Sequence, residues 1–538
     1  MKNKFFSVLP IGGVDEIGSN MTLIRTANED IVIDCGLLFP YEECFDINYL
    51  VPDFGLLDET RVKNIVITHG HEDHIGGLSQ LLAKLPDIKI WVTPFTHHLI
   101  RKKLEEFKID FNFQIYKSGQ DISFHHIDIT PVHVNHSIPE TNGLVIRTKD
   151  RQWGALYISD FKVDLKSKHE DPIDLQLIKN KLSECSQTAY FIDSTNVIFD
   201  GKTTSENELL PDLEGLINRQ EDRVFITLFA SNVHRMNAIC LMAKRAGRKI
   251  VVMGRSLWNY MEAARESGHS DLTLEDFHTP DQAKGQTGKM LIFLSGCQGD
   301  FLSALRRFSF GEDGTFKPQP GDLVIFSSKV IPGNEKKIFR IYNKLTQFGV
   351  EIITAHDHLI HASGHPGKED LKILIDSFIP NYYFPIHGES YMLKKHQEFL
   401  QYSYPSVKTF VIHNYEEVIL GESSIKVEHH ESKEPILIHG KNLIIEKTQI
   451  SQRRKMATQG SVFITYQKPN KAMEITLLGL PLMAQEHIDQ LKKRLLNQIE
   501  NDLHHRESNY FKDQLKISTR QFFNHLLGYK PVTEVHLF

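Results

Sequence analysis

Thr68-His69-Gly70-His71-Glu72-Asp73-His74 follows the apolar run Ile65-Val66-Ile67 and leads into Gly76-Gly77. In an extended turn, residues two apart project to the same side. His69 and His71 can therefore share one metal ion, while Asp73 and His74 begin the next turn and can address a second. Neutral imidazoles and carboxylates suit Zn²⁺ or a similar first-row ion. Four ligands do not fill two sites, so the remaining donors must come from elsewhere in the chain.

Working outward, short β-rich runs recur, each ending in polar or glycine-rich residues and most followed by a helix-like stretch. Among them are Ile31–Asp34, Ile65–Thr68, Ala155–Asp160, Ala189–Asp193, Arg223–Ala230, Met290–Gly296, Val350–His356 and Tyr382–His387. The stretches Ile75–Leu85, Thr96–Phe107, Val233–Ala246, Glu335–Phe348 and Lys368–Phe378 read as helices. Strand–helix alternation means α/β layers, and open α/β sheets bind ligands beyond the carboxyl ends of their strands. Asp34, His69, Asp160, Asp193, His356 and His387 all fall at such ends. His136, in Asn135-His136-Ser137-Ile138-Pro139, Asp160, which as a carboxylate can bridge two cations, and His387 are the donors expected to complete a dinuclear site. His133 competes with His136, but their odd separation puts them on opposite faces of an extended segment. His97-His98 and His125-His126 lack such a context and read as surface histidines.

The composition fits a soluble globular chain: 538 residues, 41% hydrophobic, 62 Lys and Arg against 68 Asp and Glu for a net charge of −6. It excludes collagenous, coiled-coil and largely disordered chains. No run approaches the roughly 18 apolar residues of a membrane span, and Met1 to Ser7 lacks the apolar core of a signal peptide, so the expectation is a cytoplasmic protein with no membrane partner. Five scattered cysteines, with no C-x-x-C, argue against a disulfide framework and a thiolate zinc site. Taken alone, the acidic balance speaks against a nucleic-acid partner. The last third differs: from Glu431 to Phe538 there are 16 Lys and Arg against 11 Asp and Glu, a net +5. Residues 424–480 read as short strands with turns, 484–527 as long amphipathic helix and Val532–Leu537 as a strand, forming a separate C-terminal domain.

Further motifs narrow the reading. They are Ile11-Gly12-Gly13-Val14-Asp15-Glu16-Ile17-Gly18-Ser19-Asn20, Ile33-Asp34-Cys35-Gly36, Asp193-Ser194-Thr195-Asn196, Ser231-Asn232-Val233-His234-Arg235, Gly254-Arg255-Ser256, Ile331-Pro332-Gly333-Asn334-Glu335, His361-Ala362-Ser363-Gly364-His365 and Pro385-Ile386-His387-Gly388-Glu389. In this colinear order, over most of residues 8–395, the chain resembles the ribonuclease J family. The resemblance implies a metallo-β-lactamase αββα sandwich, an inserted α/β β-CASP domain and a small α+β C-terminal domain. The expected division is residues 1–200 for the first part of the core, 201–360 for the insert, 361–425 for the completing part and 430–538 for a domain that supports self-association or RNA binding.

By the same resemblance His69, His71 and His136 hold one ion, Asp73, His74 and His387 the other, and Asp160 bridges. Asp34 and Asp193 support the ligands from behind, the role of Asp193 being either that or structural. Asp73, Asp160 and His365 carry the chemistry, with His365 stabilising charge on the scissile phosphate or protonating the leaving oxygen. Ser231 and Asn232, at a helix start that suits a phosphate, join His361, Ser363, Gly364 and His365 in binding substrate, although either of the first two can instead serve as a helix cap. The implied activity is metal-dependent RNA hydrolysis, 5′-to-3′ exonucleolytic, endonucleolytic or both. It would use two divalent ions, Zn²⁺ with Mn²⁺ or Mg²⁺ as alternatives, on RNA with a 5′-monophosphate, in a homodimer or homotetramer. Two rivals stand beside it: a related hydrolase of DNA or of a small ester, and an RNA-binding subunit without activity. Two departures bear on substrate: Gly296-Cys297-Gln298-Gly299-Asp300-Phe301 changes three of six residues of a G-S-Q-G-E-P stretch, and Pro366 replaces a small residue.

Overall fold

The computed structural model describes residues 6–40, 47–219, 223–286, 288–421, 424–440, 442–467, 469–501 and 509–538. Met1 to Phe5, Cys44 and the middle of the expected 484–527 helix lie outside the described residues. The chain forms two compact units, one of residues 6–40 and 50–436, the other of residues 47–49 and 437–538.

The larger unit is built on two sheets. The first has eight strands, in the order Ile425–His429, Glu416–Leu420, Phe6–Gly12, Met21–Arg25, Asp30–Ile33, Val62–Val66, Lys89–Val92 and Asn112–Ile115. The second has seven, in the order Lys408–Thr409, Tyr382–Ile386, Gln187–Asp193, Trp153–Ile158, Asn142–Thr148, Ile127–His133 and Ile122–Ser123. Strands that bury both faces read as continuous apolar runs, and the period of two assigns each residue to a layer. Ile127, Ile129, Leu144, Ile146, Ala155, Tyr157, Ala189, Phe191, Phe384 and Ile386 meet Val8, Ile24, Ile31, Ile33 and Val66 between the sheets. The alternate residues, Val145, Leu156, Ile158, Tyr190, Ile192 and Tyr383, pack outward against Ile178 and Leu182, Leu371 and Leu374, and Leu400. These come from the helices Leu175–Leu182, Lys368–Ser377 and Ser390–Ser403. Each fully buried Leu, Ile or Phe contributes about 1.5–3 kcal/mol, so a charge at Leu156 would break the layer.

A third sheet, all parallel, has six strands in the order Phe277–His278, Lys249–Met253, Met290–Leu294, Arg223–Thr227, Leu323–Phe326 and Glu351–Ile353. Val224, Ile226, Ile250, Val252, Leu291 and Phe293 face the helices Glu206–Arg219 and Val233–Arg245. Phe225, Val251, Ile292, Leu294, Val324 and Phe326 face Ala304–Ser309 and Glu335–Gln347 on the other side.

In the smaller unit Ser461–Gln467 pairs antiparallel with Ala472–Leu478 and parallel with Val532–Leu537. Val462, Ile464, Tyr466 and Val535 pack with Leu491, Leu495, Leu515 and Phe523. Two expectations are corrected here. The 484–527 segment is two helices, Gln485–Asn501 and Asn509–Leu527. Both place apolar residues at helical spacing on one core, so their patterns read as one. Residues 424–480 are more than strands and turns, because Lys447–Gln459 is a helix. It buries no residue and therefore carries no apolar stripe to read. Its start is marked instead by a capping box between Glu446 and Gln449.

Candidate metal centre

The centre forms where strands of the two large sheets end. Asp34 follows the strand Asp30–Ile33 with φ +59°, a left-handed turn that short polar side chains tolerate. Its carboxylate accepts from the Thr68 N–H at 2.7 Å and the Thr68 hydroxyl at 2.8 Å. This pins the loop that leaves the neighbouring strand Val62–Val66. Gly36 lets the next turn close, since a Cβ there would sit 1.6 Å from the Asp73 carbonyl oxygen. Backbone bonds from Cys35 N–H to His74 O and from Asn20 N–H to Asp73 O complete the clamp.

Five imidazoles and two carboxylates converge there. His69 Nε2 and His136 Nε2 each lie 3.1 Å from His71 Nδ1. Asp160 Oδ2 is 3.4 Å from His136 Nε2 and 3.9 Å from His69 Nε2. The other oxygen of Asp160 faces a second group, at 3.0 Å from His74 Nε2 and 3.7 Å from His387 Nε2. Asp73 Oδ2 closes that group at 3.5 Å from His74 Nε2 and 3.6 Å from His387 Nε2. Each set of four donors lies within 4.8 Å, compact enough to hold one ion, with Asp160 common to both. A third set, Asp193, His365 and His387, meets the same criterion. There Asp193 is engaged with His365 Nδ1 at 2.8 Å.

The ring tautomers are set from behind, as is usual for ligating histidines. His69 Nδ1 is 3.0 Å from the Thr68 hydroxyl, His74 Nδ1 2.8 Å from Asp34, His136 Nδ1 2.6 Å from the Gly364 carbonyl and His387 Nδ1 2.8 Å from the Thr195 hydroxyl. Each arrangement leaves Nε2 aimed inward. Gly364 is tight against its partner, with a Cβ there 2.8 Å from His136 Cε1. His387 itself holds φ +49° after the strand Tyr382–Ile386, which turns its ring back toward Asp73. Such strain gathers at functional sites.

Charge is distributed unevenly. Burial pushes His69 well below its ordinary pKa, His71 down to about 4 and His136 down to about 3, so all three stay neutral with lone pairs free. Burial also opposes charge on His74 and His387, but the neighbouring carboxylates outweigh it. Asp160, Asp73 and Asp34 hold His74 well above its usual value, and Asp160, Asp193 and Asp73 hold His387 at about 10. The donor set fits divalent cations. His387 Nε2 and Asp160 Oδ1 are buried with no hydrogen bond among the described residues, and a cation would give the clustered neutral imidazole nitrogens a common partner.

His365 lies beside the centre, its Nδ1 4.0 Å from Asp160 Oδ2. Burial opposes its charge, yet Asp193 raises its pKa above the ordinary value, and Asp193 itself is held down at about 2. Among the expected substrate residues, Asn232 caps the helix Val233–Arg245 by accepting from the Arg235 N–H, and donates to Glu206. Ser231 is half-buried just before it. The Ser363 hydroxyl accepts from the His365 N–H. His361 Nδ1 is 3.2 Å from Arg235, and burial with that guanidinium lowers its pKa to about 3.

His133 instead reaches the Asp171 carbonyl, away from the centre. His356 is exposed in a turn after Glu351–Ile353 and takes no part in the centre. That strand belongs to the six-stranded sheet, so its end opens elsewhere. Three supporting residues escaped the sequence reading: Thr68, Thr195 and Asn20, whose side-chain amide lies 3.0 Å from His74 Nε2. Each lies within a quoted motif, which is the only signal it carries.

Three family models match: "Metallo-beta-lactamase superfamily" over residues 14–147, "Ribonuclease J, beta-CASP domain" over 221–345 and "Zn-dependent metallo-hydrolase RNA specificity domain" over 349–411. A solved structure from Enterococcus faecalis V583, described as a protein of unknown function, shares the fold, with TM-score 0.57 and 15% identity over 77% of this chain and 100% of that one. Fold, ligand groups and matched domains together define a metallo-hydrolase of the β-CASP type. Ribonuclease J 1 of Streptococcus pyogenes is 33% identical over 86% of this chain and 83% of its own. Ribonuclease J of Sinorhizobium meliloti is 32% identical over 98% and 96%, and that of Thermus thermophilus 30% over 98% and 94%. The chain belongs to the ribonuclease J family, and its class is that of the metal-dependent ribonucleases.

Proposed function

We propose that this chain hydrolyses RNA phosphodiester bonds with two divalent ions. His69, His71 and His136 would hold one, Asp73, His74 and His387 the other, and Asp160 would bridge. The observation that carries the reading is the pair of four-donor groups sharing Asp160, with the His365–Asp193 pair at their edge. The nitrogen-rich donor set favours Zn²⁺, with Mn²⁺ or Mg²⁺ as alternatives. Ions bound there supply Lewis acidity and bring a water nucleophile within reach of neutral pH.

The chain's own residues do the rest. Asp34, Thr195 and Gly364 keep the imidazoles oriented, so no reorganisation is needed as charge develops. His365, whose protonated form is favoured by Asp193, can steady the phosphate or give its proton to the leaving oxygen. Neutral His361, whose Nδ1 faces Arg235, keeps Nε2–H free to donate to a phosphate beside Ser231, with Ser363 and Gly364 shaping the loop. This favours RNA with a 5′-monophosphate, cut in the 5′-to-3′ direction, internally, or both. The division proposed is a core of residues 1–200 and 361–425, an insert of 201–360 and a C-terminal domain of 430–538. Exposed Leu443, Ile444 and Leu482 in the C-terminal unit suit a homodimer or homotetramer. Free thiols at Cys35, Cys185, Cys240 and Cys297 suit a cytoplasmic setting. No helix among the described residues is long and apolar enough to cross a membrane.

The test is digestion of 5′-monophosphate and 5′-triphosphate RNA, and of DNA of the same sequence, with Zn²⁺, Mn²⁺ or Mg²⁺. Mononucleotides from the monophosphate end are expected. Cleavage of DNA in preference to RNA, or RNA cleavage that survives chelation, would overturn the reading.

A further inference from the structure

The six-stranded sheet has a switch point that the metal chemistry does not use. Arg223–Thr227 and Met290–Leu294 are adjacent and parallel. The first leads to the helix Val233–Arg245 on one face of the sheet, the second to Ala304–Ser309 on the other. Where neighbouring strands send their chains to opposite faces, a crevice opens beyond their carboxyl ends, and ligands bind there. One wall is the loop with Ser231; the other is the loop Gly296–Leu302. The loop after Leu323–Phe326 connects these walls. Ser327 takes a bond from Arg235, while the Lys329 carbonyl and the Ile331 N–H bond to Gln298.

On this second loop Phe301 and Leu302 are 74% and 79% exposed. Phe301 is not a free apolar patch. Arg306 lies over its ring at 4.7 Å and over Phe310 at 4.4 Å, and Arg340 and Lys344 also approach Phe310, at 5.3 and 5.8 Å. The result is a ladder of alternating rings and cations whose outermost ring is open to solvent. Between 296 and 345 there are 8 Lys and Arg against 5 Asp and Glu, in a chain of net charge −6. Aromatic rings set among cations are how single strands are held: bases stack on the rings and the backbone follows the charge.

We propose that Phe301 is a stacking platform for one unpaired base of the RNA, backed by Arg306. The proposal rests on the ribonuclease reading above and concerns how far along the strand the enzyme grips.

The test uses the full metal-loaded protein and a single-stranded 5′-monophosphate RNA, intact or with one abasic nucleotide moved along it. In Phe301→Ala the KM is expected to rise about 5-fold or more, the weight of one stacked base, while Phe301→Trp keeps KM at or below the parent value. One abasic position should raise the parent's KM by the same factor and have no further effect in Phe301→Ala. An unchanged KM in Phe301→Ala, or abasic effects that simply multiply with it at every position, overturns the proposal. A change in oligomeric mass with KM unchanged does so too, by assigning the ring to a protein contact. Failure of the parent protein to cleave RNA at all would instead sink the ribonuclease reading.

Discussion

The two ligand groups that share Asp160 are built from the same residue types, yet they are held in opposite ways. His69, His71 and His136 are neutral because burial outweighs the pull of the nearby carboxylates. His74 and His387 sit among Asp34, Asp73, Asp160 and Asp193, which outweigh burial and favour the imidazolium. An ion entering the first group meets ready lone pairs. One entering the second must displace protons. The contrast teaches that two neighbouring donor groups that differ by one carboxylate can be set to take up a cation under different pH laws.

The largest effect is expected where the groups meet. Asp160→Ala removes one donor from each, so kcat/KM for RNA should fall roughly 10³-fold or more, and metal analysis should show both ions weakened. An Asp160→Ala protein that kept one ion at full affinity would break the symmetry assumed for this carboxylate. Next comes the pH law itself. Between pH 5 and 8 the first ion's affinity should be nearly flat, since His71 and His136 have values of about 4 and 3. The second should weaken as pH falls, about tenfold per unit for each proton displaced. Calorimetry in buffers of different ionisation enthalpy reads this directly, and equal proton release for both ions would erase the comparison. Thr195→Val is a smaller and sharper probe. It deletes the hydroxyl behind His387 Nδ1 and should weaken the second ion about tenfold while leaving the first alone.

The donors of both groups, though not their opposite charge states, are largely legible in the sequence. The loop 68–74, the strand ends at Asp160 and Asp193, and His387 all announce themselves as polar residues closing apolar runs, and the structure gathers them. His356 closes such a run as well, yet it is exposed on another sheet. A strand end is legible in sequence, but the sheet it joins depends on pairing between distant segments. Thr68, Thr195 and Asn20 were missed for a related reason. Their roles rest on contacts across 34 to 192 positions, from Thr68 with Asp34 to Thr195 with His387, and no local pattern encodes those. The helix Lys447–Gln459 escaped because a helix that buries nothing has no face to reveal it.

The mildest expected effect concerns His365, which stands outside both groups but borrows the electrostatics of the second. Burial works against its charge, and the Asp193 carboxylate 2.8 Å away restores it. Asp193→Asn keeps the hydrogen-bonding shape and removes that charge, so the folded pKa of His365 must fall. If the imidazolium serves as acid, it is then lost at lower pH, and the alkaline limb of kcat should move down by about one unit. At a pH low enough to protonate the ring in both proteins, the rate should change by less than about threefold. Asp193 Oδ1 also lies 3.5 Å from His387 Nδ1, so metal content has to be measured alongside. A shifted limb with both ions retained assigns the effect to His365. Loss of the second ion with no shift would place Asp193 behind the metal ligand alone and leave His365 without a role in proton transfer.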